Sequence, residues 1–196
     1  MTGVDINEGM LTVAAASPAW VVWRTAPAEE LPFADASFDA VLSQFALMFF
    51  ADRREAVHEM ARVARPEGRV TVATWAELDE SPGYAAMVQL LDRLLGREAA
   101  DALRAPFSVG TTPQLPDAMN AAFTEIDVVR LEGVASFDSL EAWVHTDVRG
   151  WTLADTIDDD QYESLLAAAA VELAPFVGTG GRVSFAAPAL VATASQ

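Results

Sequence analysis

The chain has 196 residues, with 12 basic against 29 acidic side chains and a formal net charge of −17; 52% is hydrophobic and 21% charged. This balance buries a real core, which excludes global disorder, and the length suits one domain. The charge opposes nucleic acid and anionic membrane, since a phosphate backbone needs a basic stripe, and the basic residues, all arginine, are scattered apart from Arg53-Arg54.

Thr2 to Ile6 reads as a short buried strand. Asn7 is placed to cap a helix from Glu8 to about Ala16, and Glu8 suits the positive end of its dipole. Ser17-Pro18 stops that helix, and Trp20-Val21-Val22-Trp23, β-branched and aromatic, is a second strand. A loop from Thr25 to Ala36 leads into a third strand, Phe38 to Ser43. After the apolar run Phe45 to Phe50, Asp52 and Glu55 have the spacing of a capping box. The following helix carries Val57, Met60, Ala61 and Ala64 on one face, and Pro66-Glu67-Gly68 is expected to end it. Val70 to Trp75 is a fourth strand. Strands alternating with crossover helices predict an α/β fold with a mostly parallel sheet, completed by a C-terminal antiparallel strand pair.

Residues 77 to 123 break the rhythm. The pattern predicts helices from about Ser81 to Leu95, near Glu98 to Leu103, and around Asp117 to Ala122, a helical insertion. Glu125 to Leu131 is again a strand. Asp138 and Glu141 have the second D-x-x-E spacing, before a helix through His145. Asp159 to about Ala174 is helical, with Asp158-Asp159-Asp160 read as helix N-terminal charge rather than a metal site. Gly178-Thr179-Gly180-Gly181 reads as a hairpin turn, and Arg182 to Thr193 as a last strand.

Other chemistry narrows quickly. There is no cysteine, so thiolate nucleophiles, disulfides and cysteine metal sites are excluded. His58 and His145 lack ligand spacing, and no metal is expected. The longest uncharged stretch, Gly9 to Trp23, contains Pro18 and falls short of the ~20 residues of a membrane span; a cytoplasmic protein is the expectation. In an open α/β sheet, ligands bind beyond the carboxyl ends of the strands, which points to Asp5, the loop from Ala26 to Glu30, and Ser43 to Phe49. Asp5 can hold the vicinal hydroxyls of a ribose, or simply cap the turn beside Asn7; both readings stay open.

From Ala28-Glu29-Glu30-Leu31-Pro32-Phe33 followed by Ser37-Phe38-Asp39-Ala40-Val41, the chain resembles class I S-adenosylmethionine-dependent methyltransferases, especially the ubiquinone/menaquinone-biosynthesis group. Further matching pieces are Gly3-Val4-Asp5-Ile6 with Met10-Leu11, Gln44 to Phe50, Glu59-Met60-Ala61-Arg62-Val63 and Pro66-Glu67-Gly68-Arg69-Val70. Six weak pieces in the right order are specific over residues 3 to 75, and beyond Trp75 the likeness is general. The resemblance implies a Rossmann-like sheet, S-adenosyl-L-methionine as cofactor and a small-molecule methyl acceptor. Asp5 would hold the ribose hydroxyls, Ile6 and Glu29 would flank adenine, and the Ala28 backbone N–H would reach the ring. Ser43 and Gln44 would lie by the methionine portion. Phe45, Met48 and Phe49 would shape the methyl entry, with His145 and Trp151 as further acceptor contacts. Trp143, Asp147 and Arg149 border that last group. No catalytic residue is assigned. The expected organisation is a partial cofactor-binding core over 1–76, a helical substrate cover over 77–124, and strands and helices over 125–196 completing one domain.

Three departures qualify the resemblance. Pro27 stands where an acid is common, and Pro66-Glu67-Gly68 replaces a Pro-Gly-Gly turn. The family's first strand and its glycine-rich loop have no counterpart, so a strand in the middle of the sheet is expected to be lacking. That predicts two unpaired sheet edges, met by a chain that extends upstream or by self-association into a homodimer. Two other readings remain: a non-catalytic methyltransferase-like dimerisation or interaction module, and an NAD-dependent oxidoreductase, which Asp5 would also serve but which lacks the Tyr-x-x-x-Lys pair.

Overall fold

A computed structural model describes residues 1–16, 20–111, 113–150, 153 and 156–195. Eight strands and seven α-helices are formed by the described residues: β1 (Thr2–Asp5), α1 (Glu8–Ala15), β2 (Val22–Thr25), β3 (Phe38–Gln44), α2 (Arg53–Val63), β4 (Ala64–Trp75), α3 (Pro82–Leu95), α4 (Arg97–Arg104), α5 (Gln114–Met119), β5 (Ile126–Leu131), β6 (Val134–Phe137), α6 (Leu140–Val148), α7 (Asp159–Glu172), β7 (Val183–Ala186) and β8 (Ala189–Ser195). The α/β class read from the sequence is what forms. Three sheets result, with orders β1-β2, β3-β4-β8-β5 and β6-β7. The β1-β2 and β3-β4 pairs are parallel, while β6-β7 is antiparallel. Among the described residues, β1 and β3 each have a partner on one side only. The two unpaired edges named as an expectation are β1 and β3 in this arrangement.

The chain divides into two compact units, residues 1–73, 113–128 and 192–196, and residues 74–112 and 129–191. In the first, Asn7 caps α1 by accepting the Met10 N–H, and Asp52 caps α2 by accepting from Arg54 and Glu55. The apolar stripe of α2 is buried at Val57, Met60 and Ala61, with Val70 and Val72 of β4 equally covered. Helix α5 packs against α2 and buries Leu115 and Met119. Helix α1, by contrast, buries no residue.

The second unit has its own core, built from α3, α4, α6, α7 and the β6-β7 pair. Trp143 is its centre, fully buried, stacked on Phe137 with ring centroids 5.8 Å apart and 4.7 Å from Phe185. Gly83 is required there: a Cβ would meet the Phe185 ring at 2.4 Å.

Several expected boundaries move, each for a local reason. The second strand is displaced to Val22–Thr25, because the register with β1 pairs Thr2 with Val22 and Asp5 with Thr25. Ala64 opens β4 instead of closing the helix. The residue before a proline avoids the helical region, so Arg65-Pro66 is extended, and the turn-like Glu67, at φ 67°, is absorbed as a bulge inside the strand. Ser139, not Asp138, caps α6, accepting the Ala142 N–H at 3.0 Å, while Asp138 pairs with Arg182 at 3.1 Å. The segment 182–193 is two strands rather than one, broken at Ala187-Pro188, with β7 pairing antiparallel to a strand β6 that the sequence reading did not contain. At the start of α7, Asp159 and Asp160 put negative charge in the first turn, as the acidic run suggested, and Asp158 forms a complete capping box with Gln161 that the sequence reading did not include. No helix among the described residues is long and apolar enough to cross a membrane.

Candidate functional site

The first unit places three strand ends near one another in the chain's path. The Asp5 carbonyl, at the end of β1, accepts the Ala26 N–H at 3.2 Å, so the segment leaving β2 starts beside Asp5. Farther along that segment, Glu29 accepts the Asp52 N–H at 3.1 Å, which ties the loop after β2 to the loop after β3. The C-terminal ends of β2 and β3 thus open on one side, and β1, parallel to β2, shares it.

Asp5 itself is half-buried. One carboxylate oxygen accepts the Asn7 N–H at 2.8 Å, which is the capping turn; the other takes no hydrogen bond among the described residues. Both readings of this side chain are compatible with that geometry, since a pair of hydroxyls needs acceptors on the outward side. Ile6 is 70% exposed and Ala28 and Glu29 are half-buried. Ser43 is buried, and among the described residues its hydroxyl has no hydrogen-bond partner, a state that costs about 1–3 kcal/mol when nothing fills it. Gln44, next along β3, is exposed. Phe45 turns the chain out of the strand in the left-handed region at φ 52°, its N–H donating to the Ala73 carbonyl at 2.9 Å.

The remaining expected residues fall in different places. Met48 is core at 5% exposure, and Phe49 is 48% exposed. His145 stands exposed on α6 in the second unit, and His58 is exposed on α2. Trp151 lies outside the described residues. Trp143 is wholly core, and its indole N–H donates to Asp147 at 2.7 Å. Burial pushes the Asp147 carboxyl up to about 7, only partly opposed by that bond. The same burial, with the charge of Asp147 beside it, raises the Tyr84 hydroxyl. Arg149 lies over the Tyr162 ring at 4.1 Å and pairs with Asp159. Among the described residues no group of three His, Asp or Glu side chains could hold a metal.

One device was not singled out from sequence as positioning the site. Arg62 donates to the Leu31 carbonyl at 3.0 Å, the Phe33 carbonyl at 2.8 Å and Asp35 at 2.8 Å, and pairs with Glu59 at 2.5 Å. Glu59 in turn accepts the Leu31 N–H at 2.7 Å. The bond to Arg62 holds the Glu59 carboxyl below its usual range against the opposing effect of burial, and Arg62 is held correspondingly firmly charged. A two-residue clamp on α2 therefore fixes the loop that carries Ala28 and Glu29. Its signal was legible as the Glu59-Met60-Ala61-Arg62-Val63 piece, where the spacing i, i+3 puts both charges on one helix face.

Residues 1–72 match the family model of a methyltransferase domain. The ubiquinone/menaquinone biosynthesis C-methyltransferase UbiE of Geotalea daltonii is 38% identical over 78 residues, 37% of this chain and 33% of that protein. The chain spans about a third of the length of the curated relatives it matches. Among solved structures, the YcgJ protein of Bacillus subtilis has the same fold at a TM-score of 0.63 and 22% identity, covering 100% of this chain and 81% of that one. Phosphoethanolamine N-methyltransferase 2 of Haemonchus contortus, solved in complex with S-adenosyl-L-methionine, gives 0.55 and 17%, covering 99% of this chain and 43% of that one. The resemblance read from six short pieces is met by these findings, in the same stretch of chain.

Proposed function

We propose that this chain, whose first 72 residues match a methyltransferase domain, binds S-adenosyl-L-methionine and directs its methyl group to a small-molecule acceptor. The observation that carries the reading is Asp5: an acid at the carboxyl end of a parallel strand, beside the segment that leads to Ala28, with one oxygen uncommitted. The residues present fit the nucleoside half of that cofactor. A carboxylate so placed accepts from two ribose hydroxyls, and the Ala28 backbone and Ile6 side chain supply an amide and an apolar surface for the adenine. The orphaned Ser43 hydroxyl, buried at the end of β3, is a donor awaiting an acceptor.

When bound, the cofactor supplies an electrophilic methyl carbon on a sulfonium, a reactive group with a good leaving group. The work left to the chain is alignment, an effect worth roughly 7–11 kcal/mol when the reacting atoms are held in line. Asp5 and the Ala28 segment hold one end of the ligand in this reading. The Arg62–Glu59 clamp keeps the segment from reorganising as the ligand arrives. Residues 1–76 carry this cofactor half, and residues 77–124 contribute to acceptor choice, with the whole acting in the cytoplasm.

Five tryptophans provide the test. Saturable change in their fluorescence on adding S-adenosylmethionine, not reproduced by NAD and weakened at least tenfold in Asp5→Asn, supports the reading. Equal response to NAD, or an unaffected Asp5→Asn variant with native circular dichroism, overturns it.

A further inference from the structure

We infer that Asp147, with the Tyr84 ring beside it, is the anchor of a binding site in the second unit for a small organic ammonium ion. For the function proposed above this names an acceptor that carries an amine, and that part rests on that reading; the cation site stands on the second unit alone.

A buried carboxylate is costly unless a cation or several donors meet it. Asp147 is 8% exposed and has one donor, the Trp143 indole N–H at 2.7 Å. It enters no ion pair among the described residues. Arg149, two residues along, is turned to Asp159 and lies over the Tyr162 ring, and Arg93 of α3 pairs with Glu172. An asparagine would accept the Trp143 N–H equally well, so nothing inside the fold uses the negative charge. A charge that weakens the free chain and has no internal partner is expected where a ligand supplies the partner.

The surroundings fit such a ligand. Trp143, Val144 and Val148 of α6 are wholly buried, whereas Asp147 keeps some exposure and Tyr84 of α3 is partly buried, so the carboxylate lies at the margin of the core rather than in its middle. Asp147 is near enough to Tyr84 for its charge to help hold the phenol proton in place. Tyr84 meets Phe185 edge-on at 5.0 Å, and Phe185 meets Trp143 at 4.7 Å. The three rings make one aromatic wall, with the carboxylate beside both outer members.

The chemistry of the cation follows from what the site offers. A guanidinium pairs best with two carboxylate oxygens in parallel, and the indole takes one of them here. Among the described residues no group of three His, Asp or Glu side chains could hold a metal ion. A compact ammonium needs only the second oxygen and is attracted by aromatic faces alongside. The net charge of −17 draws cations and repels anions.

The test titrates benzylamine hydrochloride into the full chain without cofactor, read by calorimetry, with benzyl alcohol as the neutral counterpart. At pH 8, above the value of about 7 to which burial pushes the Asp147 carboxyl, the charge is present. The site predicts saturable benzylamine binding, at least tenfold weaker for benzyl alcohol and for Asp147→Asn, whose fold circular dichroism verifies. The Trp143 indole N–H resonance of nitrogen-15-labelled protein moves in step with the titration. Asp5→Asn binds benzylamine as the parent does, so a failure of the cofactor reading and a failure of the cation site are told apart. Benzyl alcohol binding as tightly, Asp147→Asn binding as well as the parent, a loss in Asp5→Asn, a Trp143 resonance that stays put, or no benzylamine binding overturns the inference.

Discussion

Replacing Asp147 with asparagine should remove a pH-dependent penalty from the second unit. The side chain is 8% exposed and has one hydrogen bond, from the Trp143 indole at 2.7 Å. Burial raises its pKa from the usual 3.8 to about 7. The folded state thus prefers the protonated acid, whereas the unfolded chain ionises near its ordinary value. A raised pKa contributes nothing adverse below about pH 4; ionisation then costs progressively more stability as the pH rises, and the full penalty is in place above about pH 7. At 1.36 kcal/mol per unit, the shift amounts to about 4 kcal/mol. Asparagine keeps an oxygen for the Trp143 N–H and cannot ionise. Urea midpoints followed by tryptophan fluorescence at pH 5 and pH 8 give the comparison. The variant is the more stable by about 1–2 kcal/mol at pH 5, and by an amount on the order of 4 kcal/mol at pH 8. Repulsion within an acidic chain weakens both proteins at high pH, so the difference between them isolates Asp147. Parallel pH profiles would refute the reasoning.

Other residues make sharp predictions. Arg62→Ala removes the bonds to Leu31, Phe33 and Glu59 and leaves a mostly buried carboxylate unpaired, so stability falls by about 2–3 kcal/mol and amide exchange quickens over residues 29–36; a loss confined to other parts of the chain would contradict the clamp. Ser43→Ala deletes a hydroxyl with no partner and should leave the thermal midpoint equal or higher in the unliganded chain, while weakening S-adenosylmethionine several-fold if that hydroxyl meets the ligand. Gly83→Ala drives a methyl into the Phe185 ring and costs about 1–3 kcal/mol by chemical denaturation.

Much of the α/β core was legible because its signals are local. Asn7 and Asp52 sit before apolar stripes, and Phe38 to Ser43 and Val70 to Trp75 are short, mainly apolar runs next to turn residues. What escaped was decided across the chain. Whether Ala64 belongs to a helix or a strand depends on Phe38, which pairs with it. Val134 to Phe137 became a strand because Val183 to Ala186 lies against it, a partner far away in sequence. Asp5 and the loop from Ala26 to Glu30 could be named as candidates from position on the sheet, and the part given to Ala28 came from the resemblance alone. The role of Arg62 was not legible, since its carbonyl acceptors lie about thirty residues upstream and main-chain oxygens leave no mark in a sequence. Met48 shows the opposite limit: an apolar residue next to a site is hard to tell from core until its burial is known.

The most direct measurement is ultraviolet cross-linking of methyl-labelled S-adenosylmethionine to the full chain, with the labelled peptide mapped by mass spectrometry. The account predicts label on residues 5–49, competed by S-adenosylhomocysteine and reduced at least tenfold in Asp5→Asn. Specific label confined to the second unit, or incorporation that the homocysteine analogue cannot compete, would contradict it.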